Sequence, residues 1–498
     1  LDTYETRFGD IVRTNSFLKP SCEWEFMIRN GVTWHDGEPF TGEDVKFGYE
    51  VIMNPHVDAQ HLRPYYDYVE TCEVSEDGMT VRFRSKQPYF NILRVIGGST
   101  GQSYFLPRHV FEPEKFGGDE KGFAEAFNKH SFNEQPIYTG PYKFENYRSG
   151  DRLTLTRNKD YWKNKLPEEA TPRWSKKQPY LDELMWVYYA EAGAVVKDLV
   201  NGNLDVDADV DPIVWNQPDT NSSTFKKRMV RAEGLSFGYT YIGWNLTNPL
   251  FEDPQVRRAL AMLIPRAEIA ENVHMGAAIP VSGPFFLLSP AYDDSVEPTP
   301  YDPQQARRLL ARAGWLDRDG DGVIEKEMDG EMVPFKFSYS IHNARDYHQK
   351  IADIVKENVE QAGIVVAITK SDWTVFADIA RQRNFDAIRC AWGTDMDPDP
   401  LQIWHSSQID NQGDNFISYR NERVDEICEQ SRTEMDPLKR WELAREMHRI
   451  VAEEQAECFM FAFKEFLFYN RALRGVKKYP SEYPYDFTEW WLAESVEN

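Results

Sequence analysis

The stretch from Phe335 to Trp392 alternates between strand-like and helix-like apolar patterns, and this alternation narrows the fold more than any other feature of the chain. It opens with FKFSYSI, which predicts a strand, and continues with a helical stripe formed by Ile351, Val355 and Val359. IVVAIT predicts a second strand, a second helix follows, and FDAIRCAW predicts a third strand. Strands that alternate with helices predict an open α/β architecture.

Three other regions carry clear signals for regular structure. The region from Leu184 to Val210 has the order strand, helix and strand in ELMWVYYA, EAGAVVKDLVNG and NLDVDADV, which predicts a βαβ unit. Asp253-Pro254 and Asp302-Pro303 each place an N-cap carboxylate before a proline, so each predicts the start of a helix. The stretch from Pro437 to Glu454 predicts a long amphipathic helix, and CFMFAF predicts an apolar strand after it.

Length and charge limit both the organisation of the chain and its partners. The chain has 498 residues, too many for one compact core, and this length predicts two or three structural units. Its 81 acidic residues outnumber its 57 basic residues and give a formal net charge of -24. Such a charge repels the phosphates of nucleic acids, so we expect no nucleic-acid partner. No apolar run approaches the roughly 20 residues of a membrane helix.

The five cysteines form no CxxC pair and no Cys/His cluster with the spacing of a structural zinc site. Cys22 and Cys72 lie in two strand-like stretches that could pair, but their spacing does not establish a disulfide. The odd number of cysteines predicts at least one free thiol.

The segment DRDGDGVIEKEMDG is the one candidate calcium loop, and its metal ligands would be Asp317, Asp319 and Asp321. Gly322 and Ile324 also stand at EF-hand spacings, but Met328 occupies the twelfth position. A loop without the bidentate glutamate loses the ligand that gives such sites most of their affinity. A polar hairpin turn is therefore favoured over a metal site.

No motif of a known catalytic class is present: the sequence lacks a GxSxG elbow, an HExxH helix, a Walker loop and a GxGxxG turn after a strand. We therefore predict no catalytic residues and a protein that is not an enzyme. The competing class is a metal-dependent enzyme that uses Asp395, Asp397 and Asp399.

The segment FDAIRCAWGTDMDPDP is unusual because a buried-looking strand carries Arg389 and then runs into three carboxylates. On a strand Arg389 shares a face with Phe385, Ala387 and Ala391, so its charge needs a partner or an open cleft. A structural ion pair with Asp395 is one interpretation. Simple turn chemistry at the two Asp-Pro pairs and a DxD metal site are two others.

Several long motifs, in order along the chain, resemble the peptide-binding family of ABC-importer solute-binding proteins. They are FMIRNGVTWHDGEPFTGEDVKFGYE, YTGPYKFENYRSGDRLTLTRNKDYW, NPLFEDPQVRRALAMLIPRAEI, YDPQQARRLLARAGW and AWGTDMDPDP. The resemblance implies an α/β, two-lobed periplasmic-binding-protein fold of type II, which bends at a hinge and has an additional subdomain. It implies a receptor without a cofactor that captures a peptide between its lobes and delivers it to a membrane permease.

The same resemblance implies a domain division and a location. Residues 1–138 resemble the extra subdomain, residues 139–246 with 466–498 one lobe, and residues 247–465 the other. The opening strand of the first lobe is expected before Leu1 and is absent from this sequence. The protein is expected to be a periplasmic or otherwise extracytoplasmic monomer, with a lipid anchor as an open alternative.

The resemblance gives six candidate ligand residues: Asp395, Arg389, Trp392, Tyr241, Trp244 and Asn245, of which the last three lie at the family's crossing into the second lobe. By resemblance Asp395 pairs with the α-ammonium of a peptide and Arg389 holds a carboxylate, while Trp392 packs against the ligand. Charge-assisted hydrogen bonds suit both roles.

Members of the family differ in their ligands, which include oligosaccharides, nickel complexes and opines. The 14 tryptophans and 25 tyrosines of this chain would suit stacking on sugars, so an oligosaccharide is the alternative within the family. Aromatic residues are also ordinary core material, and a peptide is the favoured ligand.

Overall fold

The structure is a computed structural model that describes residues 12–19, 22–96, 105–116, 119–167, 178–189, 191–343, 345–410, 413–478 and 485–493. The chain divides into two compact units. The first comprises Leu1–Asp207, Asp219–Arg231 and Phe468–Asn498, and the second comprises Ala208–Pro218 and Ala232–Leu467.

The strands are β1 (Val12–Lys19), β2 (Glu23–Ile28), β3 (Val69–Val74), β4 (Thr80–Ser85), β5 (Tyr142–Arg148), β6 (Arg152–Arg157), β7 (Glu183–Val187), β8 (Val206–Asp207), β9 (Met229–Leu235), β10 (Gly238–Trp244), β11 (Ala278–Pro280), β12 (Glu325–Met328), β13 (Glu331–Pro334), β14 (Lys336–His342), β15 (Val365–Ser371), β16 (Ala387–Gly393), β17 (Glu457–Asn470), β18 (Leu473–Arg474) and β19 (Trp491–Leu492).

The α-helices are α1 (Gly42–Met53), α2 (Arg63–Tyr66), α3 (Ile92–Ile96), α4 (Arg108–Phe111), α5 (Glu120–Phe127), α6 (Ala192–Asn201), α7 (Pro212–Asn216), α8 (Pro218–Asn221), α9 (Ser223–Arg228), α10 (Pro254–Met262), α11 (Arg266–Asn272), α12 (Pro303–Arg312), α13 (Asp346–Glu360), α14 (Trp373–Arg381), α15 (Leu401–Trp404), α16 (Ser407–Asp410), α17 (Glu422–Thr433) and α18 (Pro437–Glu453). Short 3-10 helices lie at Pro113–Phe116, Ser131–Glu134, Trp162–Lys165, Pro249–Phe251 and Phe487–Glu489. No helix among the described residues is long and apolar enough to span a membrane.

The first unit contains antiparallel sheets with the strand orders β1-β2-β4-β3 and β5-β6-β7. In β2 the buried residues Trp24, Phe26 and Ile28 alternate with more exposed ones, as one covered face of a sheet requires. Phe26 meets Phe83 of β4 at 6.1 Å between ring centroids. This alternation places an aromatic core on one side of the four-stranded sheet.

Cys22 and Cys72 are not joined by a disulfide, and all five cysteines are free thiols. Cys22 immediately precedes β2, Cys72 lies in β3, and β4 is inserted between these two strands. The order of the strands in the sheet therefore separates the two cysteines, and the spacing of the cysteines in the sequence does not reveal that order.

The second unit is built on a mixed sheet whose strand order is β11-β17-β10-β16-β14-β15. β14 pairs in parallel with β15 and β16, while β10 pairs antiparallel with β16 and β17. Hydrophobic clusters cover both faces of this sheet. The helices α10, α11, α12 and α13 pack on one face and α17 and α18 on the other.

The predicted alternation from Phe335 to Trp392 is confirmed, since β14, α13, β15, α14 and β16 follow one another with parallel pairing. Ile351, Val355 and Val359 are buried as predicted. Each such aliphatic side chain contributes about 1.5–3 kcal/mol through burial. The short stripe therefore suffices to hold α13 against the sheet.

The predicted βαβ unit from Leu184 to Val210 is wrong in its pairing, although its three elements form. β7 joins β6 in the three-stranded sheet, whereas the two-residue β8 pairs with the end of β17. Local patterns predict a strand, but the choice of its partner is made by distant residues.

The predicted helix starts are confirmed. The Asp253 carboxylate accepts a hydrogen bond from the N–H of Gln255, and the Asp302 carboxylate accepts one from the N–H of Gln305. The predicted C-terminal helix is α18, and the apolar strand after it is the start of β17.

Candidate functional site

β16 carries two of the predicted ligand residues, Arg389 and Trp392, and lies between β10 and β14 in the sheet of the second unit. Its residues alternate between the two faces, and Arg389 stands opposite Ile242 of β10. Cys390 stands opposite Tyr241, so it faces the other side. Arg389 and Trp392 therefore project from opposite faces of the sheet.

Arg389 is a buried cation with 8% of its surface exposed. Its Cζ lies 5.8 Å from the centroid of the Tyr347 ring, a cation–π distance. No carboxylate of the described residues lies within 4.0 Å of its guanidinium, so the ion pair with Asp395 does not form. Burial of a charge without an ion-pair partner is costly.

Tyr347 contacts this guanidinium, and His274, Tyr339 and His348 interact electrostatically with its charge. We call these five residues the Arg389 cluster: Arg389, His274, Tyr339, Tyr347 and His348. His274 follows α11, Tyr339 lies in β14, and Tyr347 and His348 lie in the first turn of α13. Ring centroids of His274 and His348 lie 5.2 Å and 4.5 Å from that of Tyr347.

The orientation of one histidine is fixed by the backbone. His348 Nδ1 donates to the carbonyl oxygen of His342 at 2.8 Å, which leaves its Nε2 as the second hydrogen-bonding atom. The N-cap of α13, Arg345, gives no side-chain cap to the helix. The first turn of α13 therefore adds the positive end of a helix dipole to the cluster.

Both histidines of the Arg389 cluster are neutral near pH 7. Burial, then the charge of Arg389 and then His348, lowers the pKa of His274 to about 4. Burial and the charge of Arg389 likewise lower the pKa of His348 to about 4. The single full positive charge of the cluster is thus that of Arg389.

The three aspartates after β16 have different surroundings. Asp395 is half-buried, and its carboxylate accepts a hydrogen bond from the N–H of Met396 at 3.2 Å. Asp399 forms a bidentate, almost fully buried ion pair with Arg432, with N···O distances of 3.0 and 2.9 Å. Asp397 pairs with Arg440 of α18.

These ion pairs give Asp397 and Asp399 a structural role beyond the predicted turn chemistry. The described residues contain no group of metal ligands that includes Asp395, Asp397 or Asp399. The two paired carboxylates anchor the segment after β16 to α17 and α18.

Trp392 and Tyr241 lie together on the other face of the sheet. Their rings stack at 6.4 Å with an interplanar angle of 14°. Trp392 is half-buried and also contacts Phe416, whereas Tyr241 is fully buried. Trp392 therefore offers surface to a ligand, and Tyr241 supports its ring from below.

Glu457 is a buried carboxyl group on this face. The Tyr239 hydroxyl donates to it at 3.1 Å. Burial raises the pKa of Glu457 well above its usual range, against the lowering effect of hydrogen bonds from Tyr239 and Trp392. Burial therefore favours the protonated form of Glu457, which accepts hydrogen bonds from Tyr239 and Trp392.

Trp244 and Asn245 have packing roles in the structure. Trp244 is 1% exposed, and its ring centroid lies 5.3 Å from that of Phe251. Asn245 Nδ2 donates to the carbonyl oxygens of Arg383 and Phe385, which ties the end of β10 to the start of β16. A ligand contact for either residue stays a prediction.

The acidic loop from Asp317 precedes the β12–β13 hairpin, in agreement with the favoured turn interpretation. Ligand atoms of Asp317, Asp319 and Glu325 lie within 4.8 Å of one another. The carboxylates of Asp317, Asp319 and Asp321 accept backbone N–H bonds in the loop. The weak metal-site hypothesis for Asp317, Asp319 and Asp321 stays a prediction.

The sequence reasoning missed four members of the Arg389 cluster, namely His274, Tyr339, Tyr347 and His348. Tyr347 and His348 are adjacent, but the three segments that supply these residues show no mutual spacing in the sequence. The unpaired charge on an apolar strand was the one signal that could have prompted a search for them.

Residues 19–414 match the family described as bacterial extracellular solute-binding proteins, family 5 Middle. The oligopeptide-binding protein AppA of Bacillus subtilis is 28% identical over 96% of this chain and 82% of its own length.

Solved structures show the same similarity. AppA from Bacillus subtilis, in complex with a nonapeptide, has a TM-score of 0.82 at 25% identity and covers 97% of this chain and 90% of its own. NikZ from Campylobacter jejuni, in complex with Ni(L-His), has a TM-score of 0.75 at 22% identity and covers 96% of this chain and 90% of its own. These matches confirm the predicted α/β fold of a two-lobed periplasmic-binding protein.

Proposed function

Because the chain belongs to the family 5 bacterial extracellular solute-binding proteins, we propose that it is the solute receptor of an ABC importer and that its solute is a peptide. The proposal includes capture of the peptide between two lobes and delivery to a membrane permease. It places the receptor outside the cytoplasm, as the description of the family indicates. The proposal also includes a monomeric state and the predicted domain division at residues 138, 246 and 465. A lipid anchor is left as an open alternative.

The observation that carries the peptide proposal is that one short segment bears two opposite charges, Arg389 and Asp395, that do not pair with each other. Arg389 is a buried cation without a carboxylate partner among the described residues, and Asp395 follows it by six positions. A zwitterionic peptide offers one carboxylate and one ammonium, so it supplies a counter-charge to each residue. A neutral oligosaccharide would leave the charge of Arg389 unpaired, which disfavours this alternative.

The names of two relatives support the same ligand class. AppA and OppA of Bacillus subtilis are both named oligopeptide-binding proteins. NikZ, which resembles this chain in fold at lower identity, binds Ni(L-His). We infer a peptide because the charge pattern of Arg389 and Asp395 fits a peptide with two free ends.

Isothermal titration calorimetry with Asp395→Asn tests the proposal. The variant should bind a peptide with a free α-ammonium about 10- to 100-fold more weakly, since a charge-assisted hydrogen bond contributes about 1.5–3 kcal/mol. An N-acetylated copy of the peptide should bind the variant and the wild type alike.

Asp294→Asn is the matched control, because Asp294 is an exposed aspartate of the same unit and the change in net charge is the same. It should leave peptide affinity unchanged. An equal loss of affinity for free and N-acetylated peptide would reject Asp395 as the ammonium partner. Mass spectrometry after incubation with the peptide and with a panel of sugars would detect turnover. Turnover of any of these compounds would show that the protein is an enzyme and not a receptor.

A further inference from the structure

Glu457 places a carboxyl group where an apolar side chain would be less costly. It is the first residue of β17, and 1% of its surface is exposed. Burial of a polar group costs free energy unless hydrogen bonds replace those that it made with water. Two side chains supply such bonds: the Tyr239 hydroxyl donates at 3.1 Å, and Trp392 also donates. The donor of Trp392 is its indole N–H, because a tryptophan side chain has no other.

No ion pair accounts for the presence of this carboxyl group. No cation of the described residues is among the groups that act on the pKa of Glu457. The groups that do act on it, besides burial, are the hydrogen bonds from Tyr239 and Trp392. The contacts of Glu457 therefore point to a role as hydrogen-bond acceptor for these two residues.

The strand register brings Glu457 and Trp392 to the same face of the sheet. β10 lies between β17 and β16, with Gly243 opposite Glu457 and Tyr239 opposite Trp392. Alternate residues of a strand point to one face, so Tyr239, Tyr241 and Gly243 share this face. Tyr241 stands between the two pairs. Trp392 and Glu457 therefore meet diagonally across the ring of Tyr241.

Stacking on Tyr241 fixes the plane of the Trp392 ring but not its orientation within that plane. The two rings lie 6.4 Å apart with 14° between their planes. The χ2 torsion of tryptophan is broad and roughly two-fold, and a half-turn about it exchanges the two edges of the indole without tilting the ring. Only one of these edges carries the N–H. The hydrogen bond to Glu457 is thus the contact that distinguishes the two orientations.

Resting on the proposed function, we propose that Glu457 is a positioning residue that selects one of the two flipped orientations of Trp392, and so pre-forms the surface on which the peptide packs. Glu457 itself makes no contact with the peptide. Trp392 is half-buried, so a ring that is free to turn would have to be ordered when the peptide binds. Ordering a side chain of this kind weakens binding by about two- to tenfold.

Solvent exchange of the Trp392 indole N–H tests the orientation without any ligand. Nuclear magnetic resonance of the nitrogen-labelled protein follows this signal, which is identified by its loss in Trp392→Phe. The N–H should exchange slowly in the wild type, because it is bonded to a buried carboxyl group. In Glu457→Leu, which replaces the acceptor by an apolar side chain, it should exchange about tenfold faster.

Glu457→Gln is the conservative variant that should rescue the wild-type behaviour. Burial favours the protonated form of Glu457, and glutamine copies the size of this form and its carbonyl acceptor. The Trp392 N–H should therefore exchange in Glu457→Gln as slowly as in the wild type.

Calorimetry with the tightest binder of a panel of short zwitterionic peptides measures the consequence for affinity. Glu457→Leu should weaken binding about two- to tenfold, and Glu457→Gln should stay within about twofold of the wild type. Trp392→Phe has no indole N–H to orient. In that background Glu457→Leu should cause no further loss of affinity, which completes a double-mutant cycle.

Tyr239→Phe is the matched control, because it removes the other donor to Glu457 and leaves Trp392 its acceptor. Its affinity and its Trp392 N–H exchange should equal those of the wild type. Its free energy of unfolding should fall, since a buried hydrogen bond is lost. A general disturbance of the packing around Glu457 would instead change affinity in Tyr239→Phe as well, and would overturn the positioning role.

The remaining outcomes separate this inference from the proposed function. Fast exchange of the Trp392 N–H in the wild type, or an equal rate in Glu457→Leu, would overturn the hydrogen bond as the contact that orients Trp392. An equal loss of affinity from Glu457→Leu with and without the indole N–H would overturn the action of Glu457 through Trp392. Failure of the wild type to bind any peptide of the panel would overturn the proposed function, while the exchange rates would still decide the orientation of Trp392.

Discussion

At the scale of single residues, the buried charge of Arg389 is the observation on which the proposed ligand contact rests. An unpaired ion in a protein interior costs several kcal/mol, even after relaxation. The Arg389 guanidinium is 8% exposed and packs on Tyr347, and its charge keeps two nearby histidines neutral. Such an arrangement has an unfavourable solvation energy, which the carboxylate of the proposed peptide would relieve.

A separate prediction concerns Glu457 and the dependence of protein stability on pH. Its folded-state pKa is raised by burial, so the folded chain binds this proton more tightly than the unfolded chain. Stability is then fully present below the unfolded pKa of about 4.3 and falls as the pH rises towards the folded pKa. Glu457→Gln has no proton to lose. Relative to the wild type, its free energy of unfolding should grow by about 1.4 kcal/mol per pH unit above about pH 4.3.

Urea denaturation between pH 4 and pH 8, followed by tryptophan fluorescence, measures this difference. Glu453→Gln is the control, because Glu453 is exposed at the end of α18 and should give a difference that does not change with pH. Parallel stability curves for Glu457→Gln and the wild type would show that Glu457 is ionised in the folded protein.

At the scale of elements, two ion pairs fasten the segment after β16 to the helices α17 and α18. Asp399 and Arg432 are 3% and 1% exposed at their side chains, and Asp397 contacts Arg440. The segment carries Asp395 in the interval between the strand and these anchors. The anchors therefore fix the position of the proposed ammonium partner.

Asp399→Asn should lower the free energy of unfolding by about 3–5 kcal/mol, because it leaves Arg432 buried without its counter-ion. The exposed pair of Asp410 with Arg420 is the control, and Asp410→Asn should cost less than about 1 kcal/mol. Chemical denaturation of both variants makes the comparison. Similar small losses, or a gain in wild-type stability on addition of a divalent cation, would favour the metal-site interpretation of this segment.

At the scale of the whole molecule, a receptor is stabilised by its solute. A ligand at 100 times its Kd adds about 2.7 kcal/mol to the free energy of unfolding. The apparent Tm should therefore rise with a saturating peptide, and the rise should be smaller in Asp395→Asn at the same peptide concentration. Differential scanning fluorimetry makes the measurement. A rise in Tm with oligosaccharides and none with peptides would show that the solute is an oligosaccharide, which is the alternative ligand class within this family.

Much of the fold could be predicted from the sequence because its signals are local. The stripe of Ile351, Val355 and Val359 and the N-caps Asp253 and Asp302 each involve residues a few positions apart. The partners of β7 and β8 could not be predicted, since strand pairing depends on residues far away in the chain.

The sequence by itself determined the order of strands and helices in the second unit, the family, and the presence of a charged residue on an apolar strand. Only the tertiary structure decided which charges are paired: Asp399 and Asp397 pair with arginines of α17 and α18, while Arg389 packs on the ring of Tyr347. The physical reason is that helix and strand formation depends on neighbours along the chain. The energy of a buried charge depends on desolvation and on groups that packing brings together from distant segments.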